Sequence, residues 1–281
     1  MTTRRTTPPT AVPPARFGDL VAAEWIKIRS LRSTPWTLAL VALVVIGSSV
    51  AAAVADYQRF PHYSPEARRE HAFSLHDAFP AEGYMCLMLA AGCIGAITVT
   101  SEYGTGLIRT TTVAVPARGA MLAAKAVVTA ALWSVVGAVV ATGSFVVSQA
   151  ILDGRDAAIT LDHSGAVRAL VASALLAPVC ALLGLGLGAL IRHSATTMVT
   201  TTFTLLMLPL FFSTEKQWSA AIRNGMVDSS WRRLTMDWVP SQADSLVPLH
   251  TATISGSWTV YALWPLIAVA LALIVVRRRD V

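Results

Sequence analysis

Charge is scarce in this sequence, and the scarcity comes in blocks. Only 14% of the 281 residues are charged, where soluble globular chains carry roughly 25%. Charge-free stretches run Trp36–Ala55, Gly83–Ser101, Ala126–Leu152, Ala169–Ile191 and Ser194–Thr214, and a sixth lies in Ser245–Val276, most apolar from Trp258 onward. Crossing a hydrocarbon core of ~30 Å takes ~20 apolar residues in a helix, so an ordinary soluble fold is excluded. Period-two alternation is missing from all six runs, which argues against a membrane barrel; spans whose backbone must be satisfied internally are then helical.

Other absences narrow the chemistry. Cysteine is rare: Cys86, Cys93 and Cys180 all fall in apolar runs, so no disulfide framework is legible and they read as small core residues. No GxxxxGK[ST], HExxH or GxSxG pattern occurs, so the chain is expected to bind no ATP of its own, no metal and no catalytic cofactor. Gly184–Gly188 reads GLGLG, but without a preceding strand it is a helix-packing face and not a dinucleotide fingerprint. Histidines 62, 71 and 76 with Glu70 and Asp77 match no common zinc spacing. No charged residue is expected deep in a span, whereas ion-coupled carriers keep one there.

The charges that are present set an orientation. With six spans both termini share a side. That side holds 1–35, 102–125, 192–193 and 277–281, with 13 Lys/Arg against 4 Asp/Glu; the opposite side holds 9 against 12. The positive-inside rule makes the basic side cytoplasmic. The net charge of +6 is then a topology signal and not a nucleic-acid footprint, since no basic stripe with interleaved aromatics occurs.

The expected fold is an all-α membrane protein. A Thr/Pro-rich, disordered tail covers 1–16, and an amphipathic interfacial helix covers 17–34. A six-helix domain covers 35–281, with spans near 36–55, 84–101, 121–152, 169–191, 194–213 and 258–276. In the interfacial helix Phe17, Leu20, Val21, Trp25, Ile28 and Leu31 share one side, and Lys27, Arg29 and Arg32 flank it. Glu24 falls in the middle of the apolar side: it pairs with Lys27 one turn on, or it faces a neighbouring helix end or another protein. RSLRS followed by an apolar run and Ala53-Val54-Ala55 imitates a signal peptide, but it lies far from the terminus and the run is long enough to span.

Residues 66–79 read as a solvated exterior helix begun at Ser64-Pro65. Residues 215–257 read as one or two short helices at the outer interface, where Trp218, Trp231, Trp238 and Trp258 prefer to sit. Small residues four apart, Gly92/Ala96, Gly137/Ala141 and Gly184/Gly188, permit close helix contact. Pro178 and Pro209 are expected to kink their spans. The six threonines between Thr196 and Thr204 are helix-packing hydroxyls or part of a polar path.

Between the second and third spans lies VTSEYGTGLIRTTTVAVPARGAMLAAK, residues 99–125. Gly104 and Gly106 bracket a turn, Leu107, Ile108, Val113 and Val115 give it apolar positions, and Pro116, Arg118 and Gly119 break the chain before it re-enters the membrane. It is either a solvated loop or a short helix lying across the inner end of the bundle.

AEWIKIRSLRSTPW at 23–36, SEYGTGLIRTTTVAVPARGAMLAAK at 101–125 and PSQADSL at 240–246 resemble the ABC-2-type transporter permease family, notably its actinobacterial members, although Asp244 stands where that pattern carries Gly. The resemblance implies a permease subunit of an ATP-driven exporter for a hydrophobic or amphipathic substrate. It implies a plasma-membrane dimer, homomeric or heteromeric, with ATP held by a separate P-loop ATPase, and no enzyme activity in this chain. It makes 17–33, with Glu24, Trp25, Lys27 and Arg29, an interfacial connecting helix. It makes 102–118 the ATPase-coupling segment, with Glu102, Tyr103, Gly104, Gly106, Leu107, Ile108, Arg109, Pro116 and Arg118, and 215–257 exterior re-entrant helices. A non-transporting scaffold or sensor subunit, or a membrane-embedded enzyme, is the alternative.

Overall fold

The computed structural model describes residues 16–64, 75–105, 118–236 and 250–278. Among these the chain is helical, without strands, and six helical segments are long and apolar enough to cross a membrane. It is a multi-pass membrane protein.

Helix α1, Phe17–Ser30, begins where the Arg16 backbone N–H donates to Asp19 Oδ2 at 2.9 Å. Asp19 in its first turn and Lys27 and Arg29 in its last suit the helix dipole. The extended backbone of Leu31 ends it, and α2, Ser33–Arg59, follows. The next spans are α3, Ala81–Gly104, and α4, Arg118–Leu152. Both ends of this pair outrun the charge-free blocks in the sequence: Glu102 and Lys125 lie inside helices, not beyond them. Both lie within two turns of a helix end, so no charge stands deep in these two spans, as expected.

Gly165, at φ 95°, opens the way into α5, Ala166–Ile191, and Arg192, at φ 61°, turns the chain directly into α6, Ser194–Thr202. Beyond Thr202 the helix widens to a π turn over Phe203–Met207 and tightens to a 3-10 turn over Leu208–Phe211, where Pro209 lacks the N–H needed to continue an α-helix. Short helices α7, Gln217–Asn224, and α8, Val227–Thr235, precede α9, Ile254–Arg278.

Helix α5 is the centre of the bundle and touches α3, α4, α6, α8 and α9. Small residues make this possible. A Cβ on Gly184 would stand 1.9 Å from Gly92 O, and one on Gly95 2.0 Å from Ala181 O. Gly188 lies against Ala96, Gly137 against Ala174 and Gly186 against Ala268, so backbones meet where side chains would hold them apart.

At the end of the bundle away from α1 two expectations change. Trp231 is not a surface tryptophan: it is 1% exposed, stacks on Tyr84 with centroids 5.1 Å apart and donates from Nε1 to Ser173 Oγ at 3.1 Å. Helix α8 is thus packed into the bundle, while Trp218 of α7 is 63% exposed. Arg168 secures the end of α8 by donating to the carbonyls of Leu234 and Met236 at 3.0 and 2.7 Å. Trp238 lies outside the described residues.

The exterior helix expected over 66–79 does not reach its expected end. Residues 75–80 form a turn that leads through Pro80 into α3, and Leu75, Ala78 and Phe79 are buried in the main core. Burial of these apolar side chains outweighs the local helical pattern. Glu70 and His71 lie outside the described residues. Of the cysteines only Cys180 is buried; Cys86 is exposed and Cys93 intermediate.

Candidate functional site

The end of the bundle that carries α1 is built around a charge cluster. Glu24 is the one buried residue of α1, although Phe17, Trp25 and Leu31 on the same helix are 48%, 43% and 57% exposed. The side of α1 that bears Leu20, Val21, Glu24 and Ile28 therefore turns toward the bundle, with Phe17, Trp25 and Leu31 at its exposed margin, and the carboxylate of Glu24 fastens it there. Lys27 Nζ donates to Glu24 Oε1 at 2.6 Å and to Glu102 Oε1 at 2.9 Å. Lys125 Nζ donates to Glu24 Oε2 at 2.6 Å and to Glu102 Oε1 at 2.9 Å. Both readings of Glu24 thus hold together: it pairs with Lys27 and it meets another helix.

Two carboxylates and two ammonium groups make a set with no formal net charge. Neutrality matters here, because burying an unpaired charge is far costlier than burying a hydrogen-bonded pair. Burial alone would lower the pKa of Lys27, but its hydrogen bonds to Glu24 and Glu102 and the attraction of both carboxylates outweigh that and hold it above its ordinary value. A group whose folded-state pKa is raised stabilises fully below its unfolded value and loses that contribution only as pH climbs through the folded value. The Lys27 contribution is accordingly constant across neutral pH and fades only above 10.5.

Three elements supply these residues: α1, the last turn of α3 and the second turn of α4. The latter two flank residues 105–117. Beside them, the Arg192 guanidinium stacks over the Tyr103 ring at 5.0 Å, held there by a left-handed residue between α5 and α6. Gly119 lies against the Arg277 guanidinium, where a Cβ would come within 2.8 Å of Nε. The starts of α4 and α6 and the ends of α3, α5 and α9 thus converge on one surface.

Of the residues singled out in the sequence, Glu24, Lys27 and Glu102 come together, with Tyr103 adjacent. Trp25 and Arg29 are exposed on α1, and Arg118 opens α4. Gly104 is the last residue of α3, with ordinary helical backbone and nothing within 4 Å of a Cβ placed there, so no tight turn needs it. Gly106, Leu107, Ile108, Arg109 and Pro116 lie outside the described residues. Gly184 and Gly188 belong to the α3–α5 contact, where Gly188 lies against Ala96 and Thr100, two residues before Glu102.

Lys125, Arg192 and Arg277 had not been assigned to a site. Lys125 carried a signal: it is the sole charged residue between Arg118 and Asp153, and a charge retained inside an apolar helix generally has a partner. Arg192 and Arg277 resemble ordinary basic anchors and carried none.

What the arrangement can do is mechanical. The cluster fastens α1 to both helices that bracket 105–117, so a displacement of that segment is shared by three helices. No family profile and no curated protein sequence matches this chain.

Proposed function

We propose that the chain is the membrane-spanning subunit of an ATP-driven exporter of the ABC-2 type, working as a dimer with a separate P-loop ATPase and moving a hydrophobic or amphipathic substrate across the plasma membrane. The observation that carries this reading is the clamp formed by Glu24, Lys27, Glu102 and Lys125. A loop that only joins two spans needs no such mount. A segment that receives a push needs its flanking helices tied to something that moves with them. The sequence between them supports the same role, with apolar Leu107, Ile108, Val113 and Val115 for a groove on the partner and Arg109 for a charged contact.

In this reading ATP hydrolysis occurs on the partner, and 102–118 carries its motion to α3 and α4. Ile108→Asp and Arg109→Glu are expected to leave membrane insertion intact and to abolish transport and substrate-stimulated ATP hydrolysis. Cysteines at 107–113 are expected to crosslink to the ATPase. Unchanged transport by both variants, with no crosslink at any position, would sink the coupling role and favour a scaffold or sensor subunit.

The orientation has its own test. In a background without Cys86, Cys93 and Cys180, single cysteines replacing the exposed Thr160 and Glu215 should react with an impermeant thiol reagent added to intact cells. Cysteines replacing the exposed Thr105 and His193 should react only after permeabilisation. Labelling of Thr105→Cys in intact cells would place the clamp, the termini and the coupling segment outside.

A further inference from the structure

Beside the charge clamp lies a cavity of about 280 Å³ between α1, the end of α3 and the start of α4. Glu24, Lys27, Glu102 and Lys125 all border it. So do Ile28 of α1, Leu31 just past its end and Val128 of α4, which give it an apolar wall. Its rim is open, since Ser30, Leu31, Ser101 and Thr105 are exposed.

The clamp leaves particular hydrogen-bonding capacity unused. Both lysines reach Glu102 through Oε1, and Oε2 accepts no hydrogen bond among the described residues. Lys27 has three N–H donors and uses two, with its side chain 38% exposed. Thr129, 2% exposed, also borders the cavity, and its Oγ1 has no partner, although a helical threonine ordinarily bonds a carbonyl one turn back. A buried hydroxyl without a partner calls for one.

We propose that this cavity receives the headgroup of a phospholipid bearing a primary amine and a phosphate, of the phosphatidylethanolamine class. The protein's own set is neutral, so a lone anion or cation would unbalance it. A headgroup of both signs does not. Its ammonium supplies donors for Glu102 Oε2 and Thr129 Oγ1, and its phosphate accepts from Lys27. The apolar wall of Ile28, Leu31 and Val128 borders the same cavity and suits the start of an acyl chain; a soluble zwitterion would leave that wall uncovered. The inference requires only that this end of the bundle lies at a membrane surface, and it stands apart from the exporter reading.

The test is lipid retention by the purified full-length protein, read by native mass spectrometry after exchange into equimolar phosphatidylethanolamine, its mono- and dimethyl derivatives, phosphatidylcholine and phosphatidylglycerol. Methylation removes N–H donors one at a time and keeps the charge, so retention should fall along the series, by about tenfold from the primary amine to phosphatidylcholine. Thr129→Val should reduce retention of the primary amine selectively, and Val128→Trp, which fills the cavity, should reduce retention of the whole series. Equal retention of the amine and choline lipids would overturn the proposal, as would preference for phosphatidylglycerol or unchanged retention by both variants. Displacement of the lipid by soluble phosphoethanolamine at equal concentration would identify a soluble ligand instead, and would overturn the lipid assignment.

Discussion

Lys125→Met should destabilise the bundle by about 3–5 kcal/mol, because removing one partner leaves a buried carboxylate without its cation. Lys125 donates to both Glu24 and Glu102 and is 7% exposed. After its loss Lys27 alone faces two carboxylates. The expected readout is a large fall in the unfolding temperature of detergent-solubilised protein, together with release of α1, visible as new proteolysis between Arg16 and Arg32. Glu24→Gln should act in the same direction, leaving two ammonium groups against Glu102. Arg29→Gln, on the exposed side of the same helix, should change stability by less than about 1 kcal/mol. The double variant Lys125→Met/Glu102→Gln retains the neutral Glu24–Lys27 pair and should be less damaged than the sum of its parts. If Lys125→Met melted within a degree of the parent, the clamp would be an ornament of the interface and not what holds α1.

Gly184→Ala should be among the most damaging single-methyl additions to the described helices. The added Cβ would meet backbone: Gly92 O at 1.9 Å, its carbonyl carbon at 2.8 Å and its Cα at 3.1 Å. A flexible side chain can step aside, but a helix backbone cannot, so α3 and α5 must separate. Overpacking ordinarily costs 1–3 kcal/mol, and a clash with backbone in the central helix pair belongs at about the top of that range or above it. Gly95→Ala, with Ala181 O at 2.0 Å, should behave alike. Gly47→Ala and Gly104→Ala have nothing within 4 Å and should be neutral or stabilising, since alanine favours helix over glycine by roughly 1 kcal/mol. Equal melting of Gly184→Ala and Gly47→Ala would mean that α3 and α5 do not approach as described.

Much of this architecture is legible in the sequence because a membrane imposes it. Long charge-free runs read as spans, and small residues four apart permit close contacts, although Gly47, four before Ala51, meets nothing within 4 Å. What the pattern does not reveal is which glycine meets which: Gly184 and Gly92 are joined by geometry, not by spacing. Glu24 stood out because it broke an amphipathic pattern, yet its partner Lys125 lies 101 positions away and looked like the border of a span. Trp231 was misread for a related reason. Tryptophan's general preference for the interface does not tell a surface ring from a buried one, and Trp231 is buried against Tyr84 with Ser173 as its acceptor. Leu75 and Phe79 were assigned to a solvated helix because their neighbours are charged, and they are core residues because the loop folds back between spans.

The order in which the clamp is synthesised has a consequence of its own. Glu24 and Lys27 leave the ribosome together, three residues apart, so α1 can settle on the membrane surface as a self-neutralised helix. Glu102 arrives next and brings one uncompensated negative charge. Lys125 comes 23 residues later and cancels it. Of these four residues, a chain that ends after α3 holds one carboxylate in surplus, and α4 brings the ammonium that balances it. The same lysine that opposes burial in lipid thus closes the set of charges, and in the folded protein it does so by reaching back to the first helix of the chain.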